Sequence, residues 1–256
     1  MISIPIRLMA HLVAGYPTDA IAFAAAKGLV EGGVAYLEIQ FPFSDPSADG
    51  KAIQSACALT LARNYRLSDG FDFVARLHAT FANVPLFIMT YGNLAYRTGI
   101  EEFVRRAQAA GASGLIIPDL PFDTDEGLAQ ACLRYGLTSV PVAAPSMTEA
   151  RIAQLNDTHP QFIYAALRSG ITGRSTDIDQ STLEFLDRLG FSSRILGGFG
   201  IREGSQARAL APHVHAVVAG SVFVELISTQ APAGEEAVRL AVRRKADQLC
   251  SQGQDL

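Results

Sequence analysis

The chain has 256 residues with 25 acidic and 21 basic side chains, a formal charge of −4 and a pI near 5.7, which leaves no basic footprint for nucleic acid. With 49% hydrophobic and 18% charged residues it can bury a substantial core, which excludes a disordered chain, and its length matches the ~250 residues of a single (β/α)8 barrel. No apolar run reaches the ~18 residues of a membrane span, and the opening MISIPIRLMAHLVAG lacks a basic leader region and is interrupted by Arg7, so it reads as a first strand in a cytoplasmic protein.

In chain order, short apolar runs alternate with amphipathic segments, with no linker between them. Leu8 to Ala14 reads as a strand, closed by Gly15-Tyr16-Pro17, and Thr18-Asp19 opens an Ala-rich helix through Val30. A strand follows over Val34 to Ile39, then helices over Ile53 to Ala62 and Ser68 to Phe81. The next pairs are a strand at Leu86 to Tyr91 with a helix at Ile100 to Ala110, and a strand at Gly114 to Pro118 with a helix at Asp125 to Tyr135. Ser139 to Ala144 precedes a helix at Thr148 to Leu155, and Phe162 to Leu167 precedes a polar loop and a helix at Ser181 to Leu189. Ile195 to Gly197 with Arg202 to Leu210, and Ala216 to Ala219 with Ser221 to Ile227 and Gly234 to Cys250, complete the series. Eight βα units predict a closed parallel TIM barrel in one domain, residues 1–256. A doubly wound open sheet is the structural alternative, against which stands the absence of GxGxxG after the first strand. Cys57, Cys132 and Cys250 form no CxxC pair and read as reduced thiols.

The second strand and its loop concentrate charge in an apolar setting. Glu38 stands near the end of an apolar strand, and the Pro/Ser/Asp/Gly loop after it carries Asp45 and Asp49. A carboxylate on such a strand either lies at the sheet's mouth or carries a large desolvation cost. The mouth is where parallel α/β folds place their chemistry, so one reading is a general acid/base on a rigid strand with a second carboxylate on a lid. The plain alternative is a Glu paired with Lys or Arg beside a solvated acidic loop.

Three glycine-bearing segments follow the last three strands: Ser169-Gly170-Ile171-Thr172-Gly173, Gly197-Gly198-Phe199-Gly200 and Gly220-Ser221. In a barrel they share one rim, where glycines let backbone N–H groups approach an anion and a helix starting at Ser221 points its positive end at the same place. A phosphate cradle is the expectation, with simple turns as the alternative. Leu8, Ile53, Met89, Tyr91, Ile116, Tyr164 and Phe199 are expected to line the space between cradle and carboxylates, which suits a flat apolar ligand with a phosphate tail.

These segments resemble the α subunit of tryptophan synthase. The family's signature, approximately LELGxPFSDPxADGPxIQ, stands here as LEIQFPFSDPSADGKAIQ over residues 37–54. Tyr91-Gly92-Asn93, residues 117–121 (IPDLP), Ala144-Pro145-Ser146, residues 169–173 (SGITG), residues 198–201 (GFGI) and Gly220-Ser221 follow in family order. The resemblance implies a barrel lyase that cleaves indole-3-glycerol phosphate to indole and glyceraldehyde 3-phosphate, in tryptophan biosynthesis and without a cofactor of its own. It implies that Glu38 is the acid/base, that Asp49 engages the indole N–H, and that Tyr164 lies beside the glutamate. It further implies that Gly173, Gly200, Gly220 and Ser221 hold the phosphate and that Thr172 belongs to a closing loop. Asp45 and Pro46 match the segment facing the β subunit, which carries pyridoxal phosphate in an α2β2 heterotetramer.

The sequence departs from the family pattern at several places. Gln40 replaces a glycine two residues after Glu38, on the same strand face, and is expected to crowd the indole pocket or hydrogen-bond Glu38. Lys51 replaces a proline after Asp49-Gly50, His11 and Tyr16 stand in the first strand and its turn, and the family's N-terminal helix is expected to be missing or truncated. His11 reads as a satisfied core or rim histidine. The departures leave open a working lyase, as an α partner or a stand-alone indole-releasing enzyme, and a non-catalytic regulatory subunit that activates a β partner. A sugar-phosphate isomerase or aldolase lacks support, because no Schiff-base lysine stands on a barrel strand.

Overall fold

Short apolar runs bounded by turn residues become strands that are buried on both faces, and the amphipathic segments between them cover the outside. The computed structural model describes residues 6–167, 178–190, 192–198 and 200–251. Its first half runs β1 (Leu8–Val13), α1 (Asp19–Glu31), β2 (Tyr36–Gln40), α2 (Lys51–Leu61), α3 (Leu67–Thr80), β3 (Leu86–Met89), α4 (Gly92–Thr98), α5 (Ile100–Ala109), β4 (Gly114–Ile116) and α6 (Leu128–Arg134). It continues with β5 (Thr138–Val140), β6 (Val142–Ala143), α7 (Glu149–Asp157), β7 (Phe162–Ala166), α8 (Gln180–Leu189), β8 (Arg194–Gly198), α9 (Gly204–Leu210), β9 (Ala216–Ala219), α10 (Ser221–Gln230), a 3-10 turn at Ala231–Ala233, and α11 (Glu235–Cys250).

All pairings are parallel, in the order β5-β4-β3-β2-β1-β9-β8-β7-β6. The two ends of that order, β5 and β6, are separated in the chain by Pro141 alone. Proline has no N–H to give to a ladder, so the expected strand from Ser139 to Ala144 is split in two. The Pro141 carbonyl still accepts from Tyr164 N at 2.9 Å, so the wall runs on from β5 to β7, and eight expected strands account for nine observed ones. The fold is the expected TIM barrel.

Two apolar layers result. Leu37 and Ile39 from the outer face of β2 pack with Phe73 and Leu77 of α3 and Phe103 of α5 in the layer between sheet and helices. Met9, Phe87, Ile116, Val140, Phe162 and Leu196 fill the barrel itself. At the N-terminal end Tyr36, Phe87 and Phe162 meet edge to face with centroids 5.6–6.1 Å apart, and the Tyr36 hydroxyl bonds His215 Nε2 at 2.8 Å. This aromatic floor leaves the C-terminal mouth as the open end.

Two helices differ from expectation. The seven-residue α4 is too short for its periodicity to register; it starts at Gly92, whose N–H donates to Asp119 Oδ1 at 2.7 Å. The helix expected from Asp125 begins at Leu128, because the Asp125 carboxylate accepts from Gly127 N and Ala129 N while Gly127 adopts a left-handed conformation with φ 83°. The chain's ends meet where α1 packs on α11 through Gly28 and Gly32. A Cβ on Gly28 would lie 2.2 Å from the Arg239 carbonyl oxygen, and one on Gly32 would lie 2.7 Å from that of Arg243. Alanine is the better helix former by about 1 kcal/mol, yet Gly28→Ala must push two helix backbones apart. We expect a net loss of about 1–3 kcal/mol, read in thermal unfolding as a Tm lower by about 2–4 °C per kcal/mol.

Candidate active site

Parallel pairing of β1 and β2 sets His11 opposite Glu38 and Val13 opposite Gln40. Glu38, which ends up 3% exposed inside the mouth, has His11 Nδ1 at 3.2 Å from its Oε2. Asp49 arrives from the loop between β2 and α2 and is equally buried. Its Oδ2 accepts from Gln40 Nε2 and from the Tyr91 hydroxyl, both at 2.8 Å. The Asp49 N–H donates to the Pro46 carbonyl at 3.0 Å, and Gln54 Nε2 donates to the Asp49 carbonyl at 2.8 Å. The alternative of a surface Glu paired with Lys or Arg and a solvated acidic loop is thereby set aside.

Burial governs the electrostatics. It raises the Asp49 carboxyl above its ordinary value, opposed by the His11 charge and by hydrogen bonds from Tyr91 and Gln40. Burial also works against the His11 imidazolium, but the Glu38 charge and hydrogen bond, with smaller contributions from Asp49 and the Gln40 amide, outweigh it and raise the imidazole. The Tyr164 phenol is pushed well up by burial and by the Glu38 and Asp49 charges, so it stays protonated. Burial likewise pushes the Cys57 thiol up to about 12, which suits a packing role.

A pocket opens beside these groups, lined by His11, Glu38, Asp49, Ile53, Met89, Ile116, Tyr164, Gly200, Arg202, Val218, Gly220 and Ser221. Gly198 makes room for Tyr164, since a Cβ there would lie 2.7 Å from its hydroxyl. At the rim α10 starts at Ser221 behind Gly220 with no side-chain cap, so the positive end of a ten-residue helix faces the pocket. Arg202 adds a cation at the same rim, held by Glu225 through Nη1 to Oε1 at 3.1 Å. Among the described residues no group of three His, Cys, Asp or Glu gathers to hold a metal ion.

Glu38, Asp49, Ile53, Met89, Ile116, Tyr164, Gly200, Gly220 and Ser221 thus come together around one pocket; Thr172, Gly173 and Phe199 lie outside the described residues. Three expectations need correction. Leu8 packs in the layer between sheet and helices, because strand alternation turns Met9 and His11 inward and Leu8 outward. Tyr91 does not line the pocket; it stacks on Phe43 at 5.1 Å, and its hydroxyl holds Asp49 and accepts from Ala48 N. Gln40 neither crowds the pocket nor bonds Glu38, and instead spans from Asp49 to Cys57 Sγ at 3.6 Å. Sequence reasoning missed Arg202, placed only as a helix start, and underrated His11. The sequence carried no signal for His11, because β1 is buried throughout and its apolar run does not show which residues face the barrel interior.

Comparison with known proteins supplies the rest. Residues 6–251 match the family described as tryptophan synthase alpha chain. The alpha chain of Helicobacter hepaticus is 38% identical over 229 residues, 87% of this chain and 86% of that one. The alpha chain of Methanosarcina acetivorans is 39% identical over 240 residues, 93% and 87% of the two chains. A solved structure of Mycobacterium tuberculosis tryptophan synthase superposes with a TM-score of 0.85 at 30% identity, covering 97% of this chain and 94% of that one. The chain belongs to the tryptophan synthase alpha chain family.

Proposed function

We propose that this chain is a lyase that cleaves indole-3-glycerol phosphate to indole and glyceraldehyde 3-phosphate, with Glu38 as acid/base and Asp49 as the acceptor for the indole N–H. The observation that carries this reading is the make-up of the pocket, whose lining joins two buried carboxylates, a helix N-terminus with Arg202, and apolar Ile53, Met89, Ile116 and Val218. That combination matches a substrate with an N–H-bearing ring and a phosphate tail.

Cleavage needs the ring carbon bearing the side chain to be protonated and the adjacent hydroxyl to be deprotonated. A carboxyl group that alternates between acid and base serves both steps. Asp49 stabilises the cationic ring while it lasts, and its ionised form is the one that does so. Gly200, Gly220 and Ser221 take the phosphate through backbone N–H groups. Gly173 would join them and Thr172 would close over the substrate, in line with the family resemblance. None of these steps calls for a cofactor in this chain.

We also assign it a β-subunit partner, which would carry pyridoxal phosphate, in an α2β2 assembly. The exposed Asp45 beside the lid supports a docking face there, and a solved relative is a tryptophan synthase complex from Pyrococcus furiosus, with TM-score 0.82 at 26% identity. Among the described residues no helix is long and apolar enough to cross a membrane, which accords with work in the cytoplasm.

Indole release by the purified chain, alone and with a cognate β subunit, tests the proposal. We expect release from indole-3-glycerol phosphate that rises strongly with the partner, and no release in either case overturns it. Glu38→Gln should lower kcat by at least ~10²–10⁴-fold while a glycerol phosphate ligand binds nearly as before; unchanged turnover removes Glu38 from the chemistry. Tyr91→Phe deletes a hydrogen bond that favours the Asp49 carboxylate. The carboxyl pKa then rises further, and the acid limb of the kcat profile should move to higher pH, which a rate series across the acid range checks.

A further inference from the structure

His11 and Gln40 both depart from the family's sequence pattern, and both side chains belong to one buried cluster. His11 Nδ1 lies 3.2 Å from Glu38 Oε2, and Gln40 Nε2 donates to Asp49 Oδ2 at 2.8 Å. The atoms of this cluster left without a partner are His11 Nε2 and Gln40 Oε1, a potential donor and an acceptor. Two bonded groups result, His11 with Glu38 and Gln40 with Asp49, and the Asp49 oxygen is shared between the Gln40 and Tyr91 donors. The β1–β2 register builds this into the barrel wall, where rigid strands hold the groups more firmly than a loop would.

We propose that His11 and Glu38 form one proton-sharing acid–base unit in the cleavage. The proposal rests on the lyase reading above and assigns His11 as a positioning residue acting through Glu38. The unit begins as imidazolium and carboxylate. Transfer from Nδ1 to Oε2 makes Glu38 the carboxylic acid that protonates the ring carbon, leaving a carboxylate and a neutral imidazole. The carbon–carbon bond then breaks and its electron pair returns to the ring, restoring aromatic indole. The hydroxyl proton on the departing carbon passes to Glu38 as the aldehyde forms, and from there back to Nδ1. One proton is given and one recovered, and no other reactant is required. Desolvation disfavours the carboxylate that a lone buried carboxyl becomes once it has given its proton, whereas here the imidazole supplies that proton and takes it back.

The ionisable groups sharing the pocket with His11 are Glu38, Asp49, Tyr164 and Arg202. Their balance leaves the imidazole raised above the ordinary 6.5, so the stored proton is present at lower pH and lost as pH rises through the raised value. Two measurements on the full chain decide the matter. In the first, nitrogen-15 spectra of imidazole-labelled protein follow His11. A midpoint above 6.5 that falls in Glu38→Gln supports the shared proton, and a midpoint indifferent to that substitution overturns it. In the second, kcat is measured against pH with the β subunit present. His11→Asn, which keeps a donor toward Glu38 but cannot titrate, should lose about 10²-fold in kcat and the alkaline limb that the imidazole imposes, with KM nearly unchanged. A native-like rate and profile in His11→Asn overturns the inference alone. A native chain that releases no indole overturns the lyase reading and the catalytic role together, while the spectra still decide whether the proton is shared.

Discussion

Two carboxylates in an apolar barrel mouth dominate the physics of this protein. Each charge taken out of water costs several kcal/mol unless donors replace the lost hydration, and neighbouring like charges add to that cost. The structure answers with donors on other elements. His11 on β1 faces Glu38, while Gln40 on β2 and Tyr91 at the end of β3 both reach the same oxygen of Asp49. Because those donors come from β1, β2 and the segment after β3, the carboxylates are tolerated only once these neighbouring strands of the closing barrel have assembled.

The rest of the architecture serves that closure. The aromatic floor of Tyr36, Phe87 and Phe162 fills the N-terminal end, so the cavity opens toward the loops. Pro141 interrupts one strand without opening the wall, since its carbonyl still takes the Tyr164 N–H. Glycines enter where backbones or side chains approach most closely, as at Gly198 beneath the Tyr164 hydroxyl and Gly28 against α11. Placing the carboxylates and the α10 N-terminus on the lining of one pocket joins acid–base chemistry to anion recognition in a single site.

Much of this was legible beforehand. The alternation of strands and helices, the barrel, Glu38 at its mouth with Asp49 on the loop after it, and Gly200 and Gly220 on the rim follow from local pattern, with a signature over residues 37–54 marking the two carboxylates. Gln40 was legible as an oddity but not in its consequence, because its partner could have been Glu38, the ligand or Asp49. Tyr91 was read as a wall of the pocket, yet it lies behind the lid loop and holds it.

What the sequence by itself determined is what local chemistry dictates: which segments are strands, which are helices, where turns must fall, and which charged residues sit among apolar neighbours. What only the tertiary structure decided is which side chains meet. On strands buried on both faces, hydrophobicity does not alternate, so nothing in Leu8-Met9-Ala10 says which residue looks inward. The parallel register of β1 on β2 then selects the neighbours, setting His11 against Glu38, while the loop after β2 turns Asp49 back onto Gln40. Those contacts exist only once strands and loop have assembled, which the local apolar pattern does not encode.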